Sequence, residues 1–260
     1  MEWRDDGLII GVRKYGETSV ILEAMTRAHG RHLGLVKGGR SRRMQPFLQT
    51  GNSAELVWRA RLDEHLGAFA VEPTRLRTAR LMASAEALHA IGLISALLRL
   101  IAERDPHPEL YEAAILIADH IEDERLPALM VRLEVEILSE AGFGLDLSRC
   151  AATGDTHDLT YVSPKSGRAV SSAAGAPYRG RLLPLPAFLR HEELGQDILG
   201  DEALNKDPER KNPPPCDIRD GFRLTEFFLN RDVFAPRGQR LPEARSAYLA
   251  ELAKRADWAT

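Results

Sequence analysis

Cysteine is scarce in this chain of 260 residues, which contains only Cys150 and Cys216. Two cysteines cannot build the disulfide framework that stabilises many small secreted domains. The N-terminal segment also lacks the apolar stretch of a secretory signal peptide. We therefore expect a protein of the reducing cytoplasm.

Long hydrophobic runs are lacking as well. The longest, LHAIGLISALLRLIA at residues 88–102, is interrupted by His89 and Arg99. A helix that crosses a bilayer needs roughly 20 predominantly apolar residues. This run is shorter, so it predicts a buried helix, and we expect no membrane partner.

The common catalytic motifs are absent from the sequence. It has no G-x-x-x-x-G-K-[ST] phosphate loop and no G-x-S-x-G elbow, and HEELG at residues 191–195 lacks the second histidine of H-E-x-x-H. The acidic run at residues 122–124 is typical of a solvated helix end. We predict that the protein is not an enzyme, with no catalytic residues and no cofactor.

A zinc site is also disfavoured by the residues near the first cysteine. Cys150 begins the turn-rich segment CAATG, where a C-x-x-C knuckle would require a cysteine in place of Thr153. The later candidate knuckle, SSAAG at residues 171–175, offers only serine and alanine. Structural zinc normally takes four sulfur or nitrogen ligands, so we predict no metal.

Charge is unevenly distributed along the chain, whose formal net charge is −3. Residues 1–80 hold 14 Lys and Arg against 9 Asp and Glu, a net of +5. Residues 81–147 hold 4 against 13, a net of −9, and residues 148–260 hold 17 against 16. A basic N-terminal part beside an acidic middle suggests that the N-terminal part binds a polyanion.

The first part of the chain has the alternating pattern of β-strands. Five short stretches, each bounded by Gly, Asn, Asp or Pro, are rich in Val, Ile, Leu or aromatic residues: 8–15, 19–26, 31–37, 53–61 and 66–71. Gly30 suits the turn between the second and the third. Five short strands favour a closed barrel, since closure removes exposed edges. An oligonucleotide-binding (OB) barrel is expected, with an SH3-like barrel as the alternative.

Helical spacing replaces this pattern after Pro73. Helices are predicted at residues 77–104, 109–123, 127–144, 183–191, 217–231 and 241–256, with a surface loop at 192–216. Residues 148–180 are turn-rich, with one strand at 159–163. The predicted fold is α+β, with an OB barrel at residues 1–76, an all-α helical domain at 77–260 and an irregular insert at 148–180.

The strongest chemical feature is a basic loop, LVKGGRSRRM at residues 35–44. Its cations are Lys37, Arg40, Arg42 and Arg43, and further cations lie on strand-like segments, namely Arg13, Lys14, Arg31, Arg59 and Arg61. Arginine matches phosphate geometry, and glycine lets the backbone approach an anion closely. Tyr15 could stack on a base, whereas Trp58 and Phe69 are expected inside the barrel. We predict that these nine cations bind the phosphates of a nucleic acid.

The motifs around this loop resemble those of the RecO family of bacterial recombination mediators. That family shows a T-x-x-x-G-[RK] hairpin, a K-G-[AG]-R loop and a Q-P-F segment. The matching residues here are Thr26, Gly30 and Arg31, then Lys37, Gly38, Gly39 and Arg40, then Gln45, Pro46 and Phe47. Residues 132–154 and 161–171 resemble the segment where the family carries four cysteines. Three of those four positions hold other residues here, so the insert is a degenerate version of a zinc ribbon.

The resemblance implies an OB barrel, a helical domain and a set of partners. The family binds single- and double-stranded DNA, anneals complementary strands, and works with RecR and the single-strand-binding protein SSB in loading RecA. The resemblance therefore makes DNA the expected ligand of the nine cations. It would place the protein in the cytoplasm, at the nucleoid. The family binds the acidic, Phe-ended SSB tail in its helical domain, and Arg132 is our candidate for the cation there. A surface ion pair with Glu136 explains Arg132 equally well.

Two other functions are compatible with the residues alone. A protein-interaction adaptor would use the basic barrel to bind an acidic protein, and an RNA-binding OB protein would use it on RNA. Comparing the binding of DNA, RNA and an acidic peptide would separate these alternatives from the DNA-binding mediator.

Overall fold

The computed structural model describes residues 1–62, 64–190 and 213–255, which fall into two compact units. The first unit comprises Met1–Glu122 together with Ala244–Glu251. The second comprises the described residues within Asp123–Glu243 and Leu252–Thr260. The predicted surface loop at 192–216 lies largely outside the described residues. No helix in the described ranges is both long and apolar enough to cross a bilayer.

Five strands form a closed barrel in the first unit. They are β1 (Glu2–Tyr15), β2 (Ser19–Thr26), β3 (Gly30–Val36), β4 (Ser53–Arg59) and β5 (Ala68–Arg75). Their order around the barrel is β1-β2-β3-β5-β4, and β4 pairs with β1 to close it. The contact between β3 and β5 is parallel, while the others are antiparallel. The chain path is that of an OB fold, so the predicted OB barrel is confirmed.

Two aromatic side chains fill the barrel, as the sequence predicts. Trp58 and Phe69 are buried in the same core cluster, among Ile, Leu, Val and Ala side chains. Gly34 on β3 lies directly against Phe69, because a Cβ atom at Gly34 would be 2.7 Å from Cε2 of that ring. The glycine is therefore needed for the close approach of the ring to the backbone.

Replacing Gly34 by alanine is expected to destabilise the barrel by about 1–3 kcal/mol, the usual effect of overpacking a core. Chemical denaturation should show a lower midpoint. Gly92→Ala is the matched control, because a Cβ atom there would lie 3.6 Å from that of Ala244. It should be neutral or stabilise the helix slightly. Equal stability of the two variants would contradict the packing argument.

The helices of the first unit differ from the prediction at one point. The predicted helix at 77–104 is two helices, α1 (Thr78–Ala83) and α2 (Ala85–Leu98). Ser84 separates them with an extended backbone, and its hydroxyl oxygen accepts a hydrogen bond from the Ala87 N–H at 3.4 Å. A serine that caps a helix can also sit inside one, which is why the sequence pattern conceals this break. The next helix, α3, spans Pro108–Asp119.

The second unit begins with α4 (Leu126–Glu140), close to its predicted limits. The helix ends with Gly142 at φ +84°, while the Phe143 N–H donates to the Leu138 carbonyl at 2.8 Å. This pattern is a Schellman-type ending. Glu134 on α4 is buried and accepts a hydrogen bond from the Thr225 hydroxyl.

The insert contains more regular structure than the sequence predicts. Strands β6 (Leu159–Val162), β7 (Ala169–Ser171) and β8 (Leu183–Pro184) form a small sheet in the order β7-β6-β8. Between β7 and β8 lie the short helix α5 (Ser172–Gly175) and a 3-10 segment, Ala176–Arg181. The predicted helix at 183–191 is wrong, because its prolines at 184 and 186 favour extended backbone and only Ala187–Leu189 forms a 3-10 turn.

The last described helices are α6 (Pro215–Phe228) and α7 (Glu243–Leu252). Between them, Leu229–Phe234 forms a π-helical turn and Ala235–Arg237 a 3-10 turn. Both helices lie within predicted helical stretches, apart from the first two residues of α6. The succession of an N-terminal OB barrel and a helical region confirms the predicted fold class.

Candidate nucleic-acid interface

The first two residues of the stretch 35–44 end β3, so the basic loop proper is residues 37–43, which is held against the hairpin that joins β1 to β2. Gly38 takes a positive φ of +69°, which an L side chain would disfavour. The backbone N–H of Arg40 donates to the Thr18 carbonyl at 3.0 Å, and its guanidinium donates to the Gly16 carbonyl at 2.8 Å. One arginine of the loop therefore fixes the loop to the hairpin.

Asn52 fixes the other end of the segment that contains the loop. Its amide donates to the carbonyls of Pro46 and Phe47 at 3.3 and 3.1 Å. Its Oδ1 accepts from the backbone N–H groups of Arg77 and Thr78 at 2.7 and 3.2 Å. Because Asn52 is completely buried, these bonds tie the turns after the basic loop to the start of α1.

A groove of about 350 Å³ lies between the hairpin and the basic loop. We call it the basic groove. Lys14 and Arg40 line it, together with Val12, Val20, Gly39, Gln45, Leu48 and Gln49. The arrangement places a lysine of β1 and an arginine of the loop on one concave surface, where both can face an anion.

Five predicted DNA-binding cations are exposed on the hairpin and the basic loop: Arg13, Lys14, Lys37, Arg42 and Arg43. In the described parts of the chain, no hydrogen bond or ion pair engages these five side chains. Their charges are therefore available to an external anion such as a phosphate.

The structure places the other predicted cations in different surroundings. Arg31 is largely buried and donates to Glu23 at 2.7 Å and to the Ile101 carbonyl at 2.9 Å. Arg59 donates to Glu2 at 2.8 Å, and this hydrogen bond holds the pKa of the Glu2 carboxyl below its ordinary value. Arg61 is exposed beyond the end of β4. Arg31 and Arg59 thus have carboxylate partners, unlike the cations of the basic loop.

A second cavity, of about 360 Å³, lies beside Arg13 and contains more charges of both signs. Glu23 accepts hydrogen bonds from Arg31 and from Arg99, the latter at 2.7 Å. Arg99 also donates to the Ile10 carbonyl at 2.5 Å. These contacts attach the end of α2 to β1 and β2, so most of the positive charge here is used within the protein.

Of the three aromatic residues considered as stacking platforms, only Tyr15 offers its ring to solvent. It is 55% exposed at the end of β1, next to Lys14. Trp58 and Phe69 are inside the barrel. A base could therefore stack on Tyr15 while its phosphate contacts the neighbouring lysine.

Two family models match the chain and together cover most of it. The model described as Recombination protein O N terminal matches residues 1–77, which include the whole barrel and the basic loop. The model described as Recombination protein O C terminal matches residues 82–241. The chain belongs to the RecO family.

Individual members of the RecO family resemble the chain over nearly its full length. The DNA repair protein RecO of Methylocella silvestris is 72% identical over 255 residues, which cover 98% of this chain and 97% of that protein. The DNA repair protein RecO of Beijerinckia indica is 56% identical over 255 residues, covering 98% and 96%. That of Methylorubrum extorquens is 56% identical over 252 residues, covering 96% and 98%.

Arg132, our candidate for the SSB tail in this RecO chain, lies in the interior of the second unit. Every residue of α4 from Leu126 to Val135 is buried, and Arg132 among them is 6% exposed. The guanidinium donates to the Phe188 carbonyl at 3.3 Å and lies 6.0 Å from the centre of the Phe188 ring. The sequence placed a cation at the rim of a groove, whereas the structure gives Arg132 an internal contact, so its role with the tail stays a prediction.

The residues around Cys150 do not fit the zinc site that the RecO resemblance implies. The buried thiol lies 3.4 Å from the Ser171 hydroxyl and 3.3 Å from the Ser171 N–H. Burial raises the pKa of the Cys150 thiol, but hydrogen bonds from Ser171 and Thr153 act in the opposite direction and lower it to about 6. No group of three or more potential metal ligands occurs in the described ranges. Thr153 and the serines and alanines of residues 171–174 stand where the other cysteines would be, and we assign no role to a metal.

Two residues that position the basic loop are absent from the sequence-based prediction. The Asn52 side chain binds four backbone groups, and the Arg77 guanidinium binds the Gly51 carbonyl, at separations of up to 26 residues along the chain. Neither lies in a motif that identifies its role. The only available signal was weak: each is a polar residue at the boundary of a predicted apolar stretch.

Proposed function

We propose that the protein acts in DNA repair as a non-enzymatic mediator that binds DNA through the basic loop and the adjoining hairpin. The observation that carries this proposal is the set of five exposed cations without an internal partner in the described residues, on the OB barrel of a RecO family member. Cations on such a surface favour a polyanion.

The chemistry required is electrostatic. Lys14, Arg42 and Arg43 would contact phosphates, and the contacts release condensed counterions from the nucleic acid. Because the protein neutralises part of the charge on each strand, two complementary strands repel one another less and can pair. No bond is made or broken in this process. The same contacts serve single-stranded and double-stranded DNA, since both present a phosphate backbone.

The RecO resemblance extends this proposal to partners. We propose that the protein anneals complementary strands, acts with RecR, binds the C-terminal tail of SSB, and helps indirectly to load RecA on SSB-coated DNA. A cytoplasmic, nucleoid-associated location follows from that work. For the SSB tail, the buried position of Arg132 means that a carboxylate must either reach the Phe188 side of α4 or displace the contact with its carbonyl.

Binding of single-stranded DNA should weaken steeply with salt. If roughly four phosphates are contacted, the slope of log K against log salt is expected to be about −3, given about −0.7 for each phosphate. Fluorescence anisotropy with labelled single strands over a range of salt concentrations measures the slope. Annealing of complementary oligonucleotides, followed with and without SSB, tests the mediator role directly.

Two comparisons separate the alternatives. RNA of the same length and sequence, and a peptide ending in Asp-Asp-Asp-Ile-Pro-Phe, are tested beside the DNA under the same conditions. Preference for RNA would favour an RNA-binding protein, and peptide binding without DNA binding would favour an adaptor. If the protein binds no DNA even at low salt, the proposed function is wrong.

A further inference from the structure

A third groove is lined by the turns that follow the basic loop and by residues of α1 and the segment before it. Its volume is about 610 Å³, within the roughly 300–1,000 Å³ range of small-ligand sites. Four apolar side chains form most of its wall: Pro46, Leu76, Ala79 and Met82. Leu76 and Met82 are 53% and 75% exposed. We call it the apolar groove.

The apolar groove and the basic groove share two of their lining residues. Gln45 and Gln49 face both cavities, so one groove begins where the other ends. Their side-chain amides are oriented by the backbone: Gln45 Nε2 donates to the Arg40 carbonyl at 2.9 Å and Gln49 Nε2 to the Gln45 carbonyl at 2.8 Å. In the described residues no hydrogen bond reaches either Oε1 atom. Each therefore remains an acceptor at the junction of the grooves.

A ligand that fills both grooves must combine three properties. It needs negative charge for Lys14 and Arg40, hydrogen-bond donors for the two glutamine oxygens, and apolar faces for Leu76 and Met82. Unstacked bases on a single strand of DNA have all three, since the phosphates are anionic, the exocyclic amino groups are donors and the ring faces are apolar. In duplex DNA the base faces are stacked inside, so a duplex can use only the basic groove.

We propose that the apolar groove takes unstacked bases of single-stranded DNA whose phosphates lie along the basic groove. This inference rests on the proposed function and adds to it a means of distinguishing single strands from duplexes. Phosphate contacts alone cannot supply that distinction, because both forms carry them. The glutamine acceptors suit the donors on the free edges of unstacked bases, such as the N4 amino group of cytosine.

The test compares strands with and without bases. Affinities are measured for oligo-dC, for an abasic strand of the same length and charge, and for a duplex. The unaltered protein is expected to bind oligo-dC about tenfold or more tightly than the abasic strand, as expected from one or more base contacts. The double variant Leu76→Asn with Met82→Gln should lose that preference and keep its affinity for the abasic strand and the duplex.

Both substitutions are on exposed side chains and conserve charge, so a change in folding or in the overall field is not expected. Leu88→Gln is the matched control, because Leu88 is equally exposed but does not line the groove. Equal binding of oligo-dC and the abasic strand, or an unchanged preference in the double variant, would overturn the groove assignment alone. Absence of binding to every strand would instead overturn the proposed function.

Discussion

Replacing Arg42 and Arg43 by glutamate is expected to weaken the binding of single-stranded DNA at least about thirtyfold at low salt. Each phosphate contact in water contributes about 1 kcal/mol. Removing two contacts and introducing two repulsions gives a loss of about 2–4 kcal/mol. The slope of log K against log salt should also become shallower, from about −3 to a magnitude of about 1.5 or smaller, because two phosphates are no longer neutralised.

This large effect is expected because neither arginine makes a hydrogen bond or ion pair within the described structure. Both are exposed, and no described carboxylate pairs with them. Their replacement should therefore leave the barrel intact. In contrast, replacing Arg31 would leave Glu23 with one cation fewer and disturb the contact with the Ile101 carbonyl. A loss of binding in that variant would not distinguish a folding defect from the loss of a DNA contact.

The matched control carries the same change in charge on other surface arginines. Arg179 and Arg240 are exposed, lie outside the barrel, and have no hydrogen bond or ion pair in the described ranges. Arg179→Glu with Arg240→Glu should retain affinity to within a few fold, since neither residue belongs to the hairpin or the basic loop. Equal losses in the two double variants would indicate a general charge effect, and an unchanged slope would remove the basic loop from the mechanism.

The barrel could be predicted from the sequence because its determinants are local. Strand alternation, the hinge at Gly30 and the bulky Trp58 and Phe69 each reflect a requirement of the residue itself or its immediate neighbours. Gly30 does take a positive φ, of +64°. Closure of the barrel then follows from five short strands that would otherwise leave exposed edges.

The candidate site was less predictable because the availability of a cation depends on distant residues. Arg59 and Arg42 are both predicted DNA-binding cations, and the sequence does not distinguish them. In the structure, Arg59 binds Glu2 across the β1–β4 pairing, at a separation of 57 residues. Arg132 lies in the part of α4 that is buried on all sides, although a charged residue in a helix is usually exposed. No local pattern distinguishes these cases.

The insert shows a third limit of sequence-based prediction. Strands β7 and β8 are only three and two residues long. Such strands are too short to show alternation, and they form because Ala169 and Leu183 find partners on β6. Likewise, the apolar groove forms because residues 45–49 lie next to α1. The Asn52 side chain holds the two segments together by bonding to Pro46 and to Thr78.

Removing the carboxylate of Asp119 is expected to destabilise the first unit by about 3–5 kcal/mol, because Asp119→Ala leaves a buried cation without its partner. That cation is Arg77, which is 2% exposed. It donates to Asp119 at 2.6 Å, to the Gly51 carbonyl at 2.9 Å and to the Ser53 hydroxyl at 2.8 Å. Thermal and chemical denaturation should both show the loss. The guanidinium links the barrel to the end of α3. Unfolding should therefore remain cooperative but have a lower midpoint, both in temperature and in denaturant concentration.

Arg75 provides the control, because it binds the same carboxylate at 2.6 Å but is largely exposed. Arg75→Ala should cost at most about 1 kcal/mol, as is usual for a surface ion pair. A loss in Arg75→Ala as large as in Asp119→Ala would contradict the assignment of the stability to the buried pair.

The double variant Arg77→Met with Asp119→Ala tests what the buried cation itself contributes. If the main penalty in Asp119→Ala is an unpaired charge, removing the charge should recover part of the lost stability. Recovery cannot be complete, because the Gly51 carbonyl and the Ser53 hydroxyl would then lack the donor that Arg77 provides. The double variant should therefore lie between Asp119→Ala and the unaltered protein, with a coupling free energy of about 0.5–3 kcal/mol. Strictly additive losses would show that Arg77 and Asp119 contribute to stability independently, and would contradict the assignment of the stability to their pairing.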